Sequence, residues 1–153
     1  MIQRIQSIYL FFSAIFMGGL FLEPADLLKI ETNSPASLGE LEYFNDKLLD
    51  VYDQNLLMVF TGLVILFCIV AIFLFRHRRL QKTLGRVAML VILLFMVMAI
   101  YMSYTDLNLI IESTNIKPGF GIGLPFVSII LLVLAVKNIG KDQKLVKSMD
   151  RLR

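Results

Sequence analysis

The sequence predicts an all-α membrane protein: a four-transmembrane-helix bundle with a C-terminal cytoplasmic amphipathic basic helix. Three observations lead there. Four long apolar stretches carry almost no charge. The basic residues collect in three segments that four crossings place on a single side. The residues after the last apolar stretch keep a helical period, with lysines on one side of it. Composition agrees: 58% of the 153 residues are hydrophobic and only 18% are charged, against roughly 45–50% and about 25% in soluble domains.

A helix needs about 20 mostly apolar residues to cross the hydrocarbon core of a bilayer. The first span is predicted over about 5–22, where Ser7, Tyr9 and Ser13 are cheap to bury in a helix. Its apolar run is longer than the roughly 7–15 residues of a signal-peptide core, and no small-x-small cleavage site follows at Leu22-Glu23-Pro24-Ala25-Asp26. It therefore reads as an uncleaved span. The second span covers about 56–75, with Thr61 and Cys68 as its weakly polar members. The third covers about 87–104, and Ser103 is its one clearly polar interior group. The fourth, about 120–136, opens with Gly121, Gly123 and Pro125 and is uncharged throughout.

Charge sets the orientation. Lysine and arginine accumulate in cytoplasmic loops. Arg4 precedes the first span, Arg76, Arg78, Arg79, Lys82 and Arg86 lie between the second and third, and Lys137, Lys141, Lys144, Lys147, Arg151 and Arg153 follow the fourth. These regions hold 12 of the 15 basic residues. Both termini are thus predicted in the cytoplasm. The opposite side receives residues 23–55, with eight acids against Lys29 and Lys47, and the short 105–118 loop.

The 23–55 loop is too long for a simple turn. Pro24, Asn33, Pro35 and Gly39 punctuate its first half. In its second half Leu41, Phe44, Leu48, Val51 and Tyr52 recur at helical spacing, which predicts a short amphipathic helix lying over the outer ends of the spans. Such a helix would cap the bundle or dock a partner outside the membrane.

Small residues point to close packing in lipid. Ala14 and Gly18 form a small-xxx-small pair in the first span, Ala99 and Ser103 another in the third, and Gly121, Gly123 and Pro125 open the fourth. The alternating glycines also suit a broken helix whose carbonyls hold an ion, as in transporters. Transporters usually keep an ionisable residue near the midplane, and these spans contain none. Packing is the better reading; a small oligomeric transporter or channel subunit is the alternative. Met89, Met96, Met98 and Met102 read as adaptable core filler.

After the fourth span, Ile139, Leu145, Val146, Met149 and Leu152 alternate with Lys137, Lys141, Lys144 and Arg151 at helical spacing. The tail and the 76–86 loop make a positive surface beside the membrane. Its candidate contact residues are Arg76, Arg78, Arg79, Lys82, Arg86, Lys141, Lys144, Lys147, Arg151 and Arg153. Anionic lipid headgroups attract each such residue by about 1 kcal/mol; an acidic membrane-protein partner is the second candidate. Nucleic acid is disfavoured, because no aromatic stacking platform accompanies the charge. One cysteine excludes an intrachain disulfide, and Cys68 with His77 does not make a metal site. The spans offer no base or carboxylate beside a nucleophile, so an enzyme is not expected, nor a cofactor.

The residues Lys141-Asp142-Gln143-Lys144-Leu145-Val146-Lys147-Ser148-Met149-Asp150-Arg151-Leu152-Arg153 resemble the closing signature of the domain of unknown function 4293 family. Met1-Ile2-Gln3-Arg4-Ile5-Gln6-Ser7-Ile8-Tyr9-Leu10, Arg79-Leu80-Gln81 and Gly123-Leu124-Pro125 resemble it in matching order. The 23–55 loop carries no resemblance. The resemblance implies a small four-span protein of the bacterial inner membrane in Bacteroidota, and brings no activity and no site residues. The expected role is a non-enzymatic accessory or scaffold protein of a larger membrane complex.

Overall fold

In the computed structural model, which describes residues 2–22, 25–31, 48–75, 77–109 and 115–150, four helices run alternately up and down. They are α1 (Ile2–Gly18, extended by a 3₁₀ turn Gly19–Phe21), α2 (Asn55–Phe73), α3 (Arg78–Leu109) and α4 (Gly123–Asp150). Each packs on its chain neighbours, and α1 closes the ring against α4. The turn between α2 and α3 is short enough to force them antiparallel. α3 starts well before the predicted third span. α4 runs unbroken past the fourth, spanning about 42 Å at 1.5 Å per residue.

Most buried positions step along each helix by four and three residues: Gln6, Leu10, Ser13, Met17 and Leu20 on α1; Leu57, Thr61, Val64, Cys68 and Ala71 on α2; Gln81, Gly85, Ala88, Ile92 and Phe95 on α3; Pro125, Ser128, Leu132, Ala135, Ile139 and Asp142 on α4, with Ala14, Met102 and Ser103 buried as well. A strict seven-residue seam is the geometry of left-handed bundles with knobs packed into holes. Small and polar residues occupy much of this seam, and their hydroxyls are satisfied within the bundle. Thr61 Oγ1 donates to Leu57 O at 2.8 Å, and Ser13 Oγ and Ser128 Oγ meet at 2.6 Å between α1 and α4. Cys68 Sγ approaches Ser13 Oγ at 3.9 Å.

The outward faces carry the large apolar side chains. Leu90 and Val97 are each 60% exposed and Ile130 is 59% exposed. Such a surface in water would be an aggregation site. Three helical stretches, Asn55–Phe73, Arg78–Thr105 and Phe120–Val146, are long and apolar enough to cross a membrane. A shorter apolar stretch, Ile5–Phe21, accompanies them. The arrangement is compatible with a multi-pass membrane protein.

One end of the bundle carries a three-stranded antiparallel sheet in the order β2-β1-β3, from β1 (Leu28–Glu31), β2 (Leu48–Leu49) and β3 (Asn115–Pro118). Leu28 pairs with both Leu49 and Pro118. This corrects two expectations: the fold is not purely helical, and the amphipathic helix predicted across 41–52 is absent from its described part. Residues 41–47 lie outside the described residues. Leu48 and Leu49 are in a strand, Val51 begins a turn, and the fully buried residues are Leu49 and Val51, two apart rather than three or four. The strand wins because it satisfies the backbone of β1 at an edge that a helix would leave bare. Tyr52 ties this turn to the bundle: its ring packs edge-on against Phe21 and its hydroxyl donates to Phe21 O at 3.0 Å.

α3 and α4 are not parallel throughout in their spacing. Away from the sheet they touch closely at Gly85, where a Cβ would stand 2.8 Å from Val136 Cγ2. Toward the sheet they part around an apolar cavity of about 370 Å³.

Candidate functional site: the basic end of the bundle

At the end opposite the sheet, the start of α3 and the last turns of α4 lie side by side. Three contacts set their register. Gly85 faces Val136, Lys82 Nζ lies over Gly140, and Arg78 Nη1 donates to Asp142 O at 3.3 Å. Glycine inside a helix costs about 0.5–1 kcal/mol relative to alanine. Gly85 offsets it by letting the Val136 side chain come close, while at Gly140 a Cβ would stand 3.4 Å from Lys82 Nζ, an ordinary contact.

The result joins two basic segments that lie about 60 residues apart in the chain. Arg79, Arg86, Lys137, Lys141 and Lys144 are exposed, while Arg78 and Lys82 are half-buried between the helices. Among the other predicted contact residues, Arg76, Arg151 and Arg153 lie outside the described residues. Lys147 is placed on α4, but its side chain is not described.

The acid of this region turns inward. Asp142 is 6% exposed, and its Oδ2 accepts from Gln6 Nε2 of α1 at 2.5 Å. Gln6 is 2% exposed, and Gln81, also 2% exposed, occupies the corresponding seam position of α3. Gln143 Nε2 is buried with no hydrogen-bond partner among the described residues. The seam ends in polar positions on α1, α3 and α4. With Asp142 turned inward and Arg79, Arg86, Lys137, Lys141 and Lys144 exposed, the described part of this end presents positive charge.

Sequence reasoning grouped Asp142 with the solvated tail and did not single out Gln6, Gln81, Gly85 or Gly140. The continued four-three step from Ser128 through Ile139 to Asp142 is the signal that could have found it. On the predicted apolar side of the tail, Ile139 is fully buried, while Leu145 is 54% exposed and Val146 39% exposed. Met149 and Leu152 are not described at side-chain level.

The predicted packing residues divide. Ala14 is buried, and a Cβ at Gly18 would make only an ordinary contact, 3.9 Å from Ile65 Cδ1 of α2. Gly119 and Gly121 lie against the backbone of Ala25, Asp26 and Leu27, where any Cβ would collide with a carbonyl. Gly119 N donates to Leu27 O at 3.0 Å and Gly121 N to Asp26 O at 2.9 Å. Backbone pairing thus accounts for this glycine spacing without an ion. Gly123 is corrected: nothing stands within 4 Å of the position its Cβ would take. Ala99 and Ser103 line the cavity between α3 and α4, along with Pro125. Among the described residues no group of three His, Cys, Asp or Glu side chains could hold a metal ion.

The chain matches the family described as "Domain of unknown function (DUF4293)" over residues 2–152. No curated protein and no solved structure matches it. Because that match runs through all four helices and both segments of the basic end, the chain belongs to the DUF4293 family of domains of unknown function.

Proposed function

We infer that this chain is a non-enzymatic accessory subunit of a larger complex in a bacterial inner membrane, with both termini and the basic end in the cytoplasm. One observation carries the reading: Arg79 on the first turn of α3 and Lys141 and Lys144 on the last turns of α4 are exposed at the same end of the bundle, while Asp142, beside Lys141 in sequence, is buried against Gln6. A face built only to orient the chain needs charge but no withdrawal of the acid. The same face draws anionic headgroups of the inner leaflet, which would hold it at the membrane surface and position it for an acidic partner protein.

The test is affinity purification from native membranes of the full chain and of the Arg79→Glu/Lys141→Glu/Lys144→Glu variant. The expected result is a defined partner retained by the first, released as salt is raised, and lost from the second, since exposed charge pairs are screened within about 8–10 Å at 0.1–0.15 M salt. Equal retention by both chains at every salt concentration would contradict the reading.

A further inference from the structure

The cavity between α3 and α4 lies in the half of the bundle nearer the sheet. Phe95 forms its floor, Ala99 and Ser103 line the α3 wall, Pro125 and Phe126 the α4 wall, and Leu28 of β1 forms the roof. It opens sideways, where Ile100 and Phe126 stand exposed. It exists because α3 carries small side chains at two successive turns while Gly85 holds the other half of the helix pair together. No charged side chain lines it, and the Ser103 hydroxyl is already committed to Ala99 O at 2.7 Å. Apart from Tyr104, at the exposed rim, the lining offers an ion, a headgroup or a polar peptide little to bind. The complementary ligand is uncharged and apolar.

Shape narrows the choice. From Phe95 to Ser103 the wall rises about 12 Å at 1.5 Å per residue. The volume of about 370 Å³ then corresponds to a mean cross-section of roughly 30 Å² over that rise. A helix 10–12 Å across needs about 80–110 Å², so no helix enters the cavity whole. An apolar cavity of about 150 Å³ holds the six carbons of benzene, so this one takes roughly twelve to fifteen carbons of one unbranched chain. An apolar void of this kind forfeits packing contacts along its whole lining, and in a bilayer the adjacent chains are there to restore them.

The geometry points to a lateral binding site for a single acyl chain of a phospholipid in the leaflet nearer the sheet, entering between α3 and α4 beneath β1. The site rests on the membrane placement proposed above. A lipid held there buttresses the sheet against the bundle through Leu28, while its headgroup stays outside the cavity.

The test uses the full chain in phospholipid vesicles containing a trace of phospholipid with a photoactivatable group midway along one acyl chain. Cross-linked residues are mapped by mass spectrometry. The expected result is label concentrated at Phe95, Ala99 and Pro125 over outward residues such as Val59 and Val133. That concentration disappears in Ala99→Leu and in Ser103→Leu but persists in Val97→Leu, which changes only an exposed face of α3. Even label over all apolar faces, unchanged in the two filling variants, would overturn the site and leave the membrane placement standing. Label on no face at all would overturn both. A cross-link joining two copies through Ala99 would overturn the choice of ligand, as would loss of the cavity label to an added isoprenoid but not to added phospholipid.

Discussion

Replacing Gln6 by leucine is expected to lower the stability of the folded chain by about 1.5–3 kcal/mol, the range for hydrogen bonds to charged groups. The reason lies in what remains behind. Gln6 Nε2 donates to Asp142 Oδ2 across the α1–α4 contact, and both residues are almost wholly buried. Leucine keeps the bulk and removes the donor, so the carboxyl loses its interhelical partner where water cannot replace it. The Gln6→Leu/Asp142→Leu double variant removes both groups. It should recover most of the loss, because replacing both partners of a buried pair by apolar groups is far cheaper than removing one. Reversible denaturation in detergent, arranged as a double-mutant cycle, measures the coupling directly. Losses in the single and double variants that simply add would show that the two side chains do not act as a pair.

Gly121→Ala should be the more damaging of two superficially similar substitutions, costing about 2–4 kcal/mol from overpacking and a lost backbone hydrogen bond. A methyl at Gly121 meets the carbonyls of Ala25 and Asp26, and backbone cannot move aside as a flexible side chain does. Relief requires opening the Gly121 N to Asp26 O bond, and with it the seat of β1 on the start of α4. Gly123→Ala meets open space and should change stability by no more than about 0.5 kcal/mol. Thermal unfolding of both variants checks the contrast. Equal effects would mean that glycine is needed here for backbone freedom rather than for room.

The pair also illustrates what a sequence of this kind reveals. Gly121 and Gly123 are two residues apart in one motif, and nothing local tells them apart. Their difference lies in residues 25–27, almost a hundred positions away. The spans were legible because an apolar backbone must bond to itself, so length and the absence of charge suffice to find them. The face each helix turns inward was not. In a soluble bundle the buried stripe is the apolar one, but here Leu90, Val97 and Ile130 face outward. The seam is instead marked by Gln6, Ser13, Thr61, Gly85, Ser128 and Asp142. The small and polar residues mark some turns of the four-three step, and large apolar residues such as Leu10, Val64, Ile92 and Leu132 fill the others.

The sheet was hidden for a different reason. β1 pairs with β3 across more than eighty residues, and a two-residue strand such as Leu48–Leu49 has no period to detect. The apparent helical spacing of Leu41 to Tyr52 was fortuitous where the structure describes it. At the basic end the charges were legible one by one from the sequence. Their convergence was not, because it depends on the approach of α3 and α4 at Gly85 and on Lys82 crossing Gly140. The inward turn of Asp142 was hidden as well, since a lone acid between lysines ordinarily reads as part of a solvated face.

The account as a whole depends on which end of the bundle faces the cytoplasm. Single cysteines placed at Ser148 on α4 and at Lys117 on β3, both exposed, can be probed in intact cells with a membrane-impermeant thiol reagent. The native Cys68 is buried in the seam and serves as a silent background. The predicted result is labelling at 117 from outside, and at 148 only after the membrane is permeabilised. Labelling at 148 but not at 117 in intact cells would contradict the account.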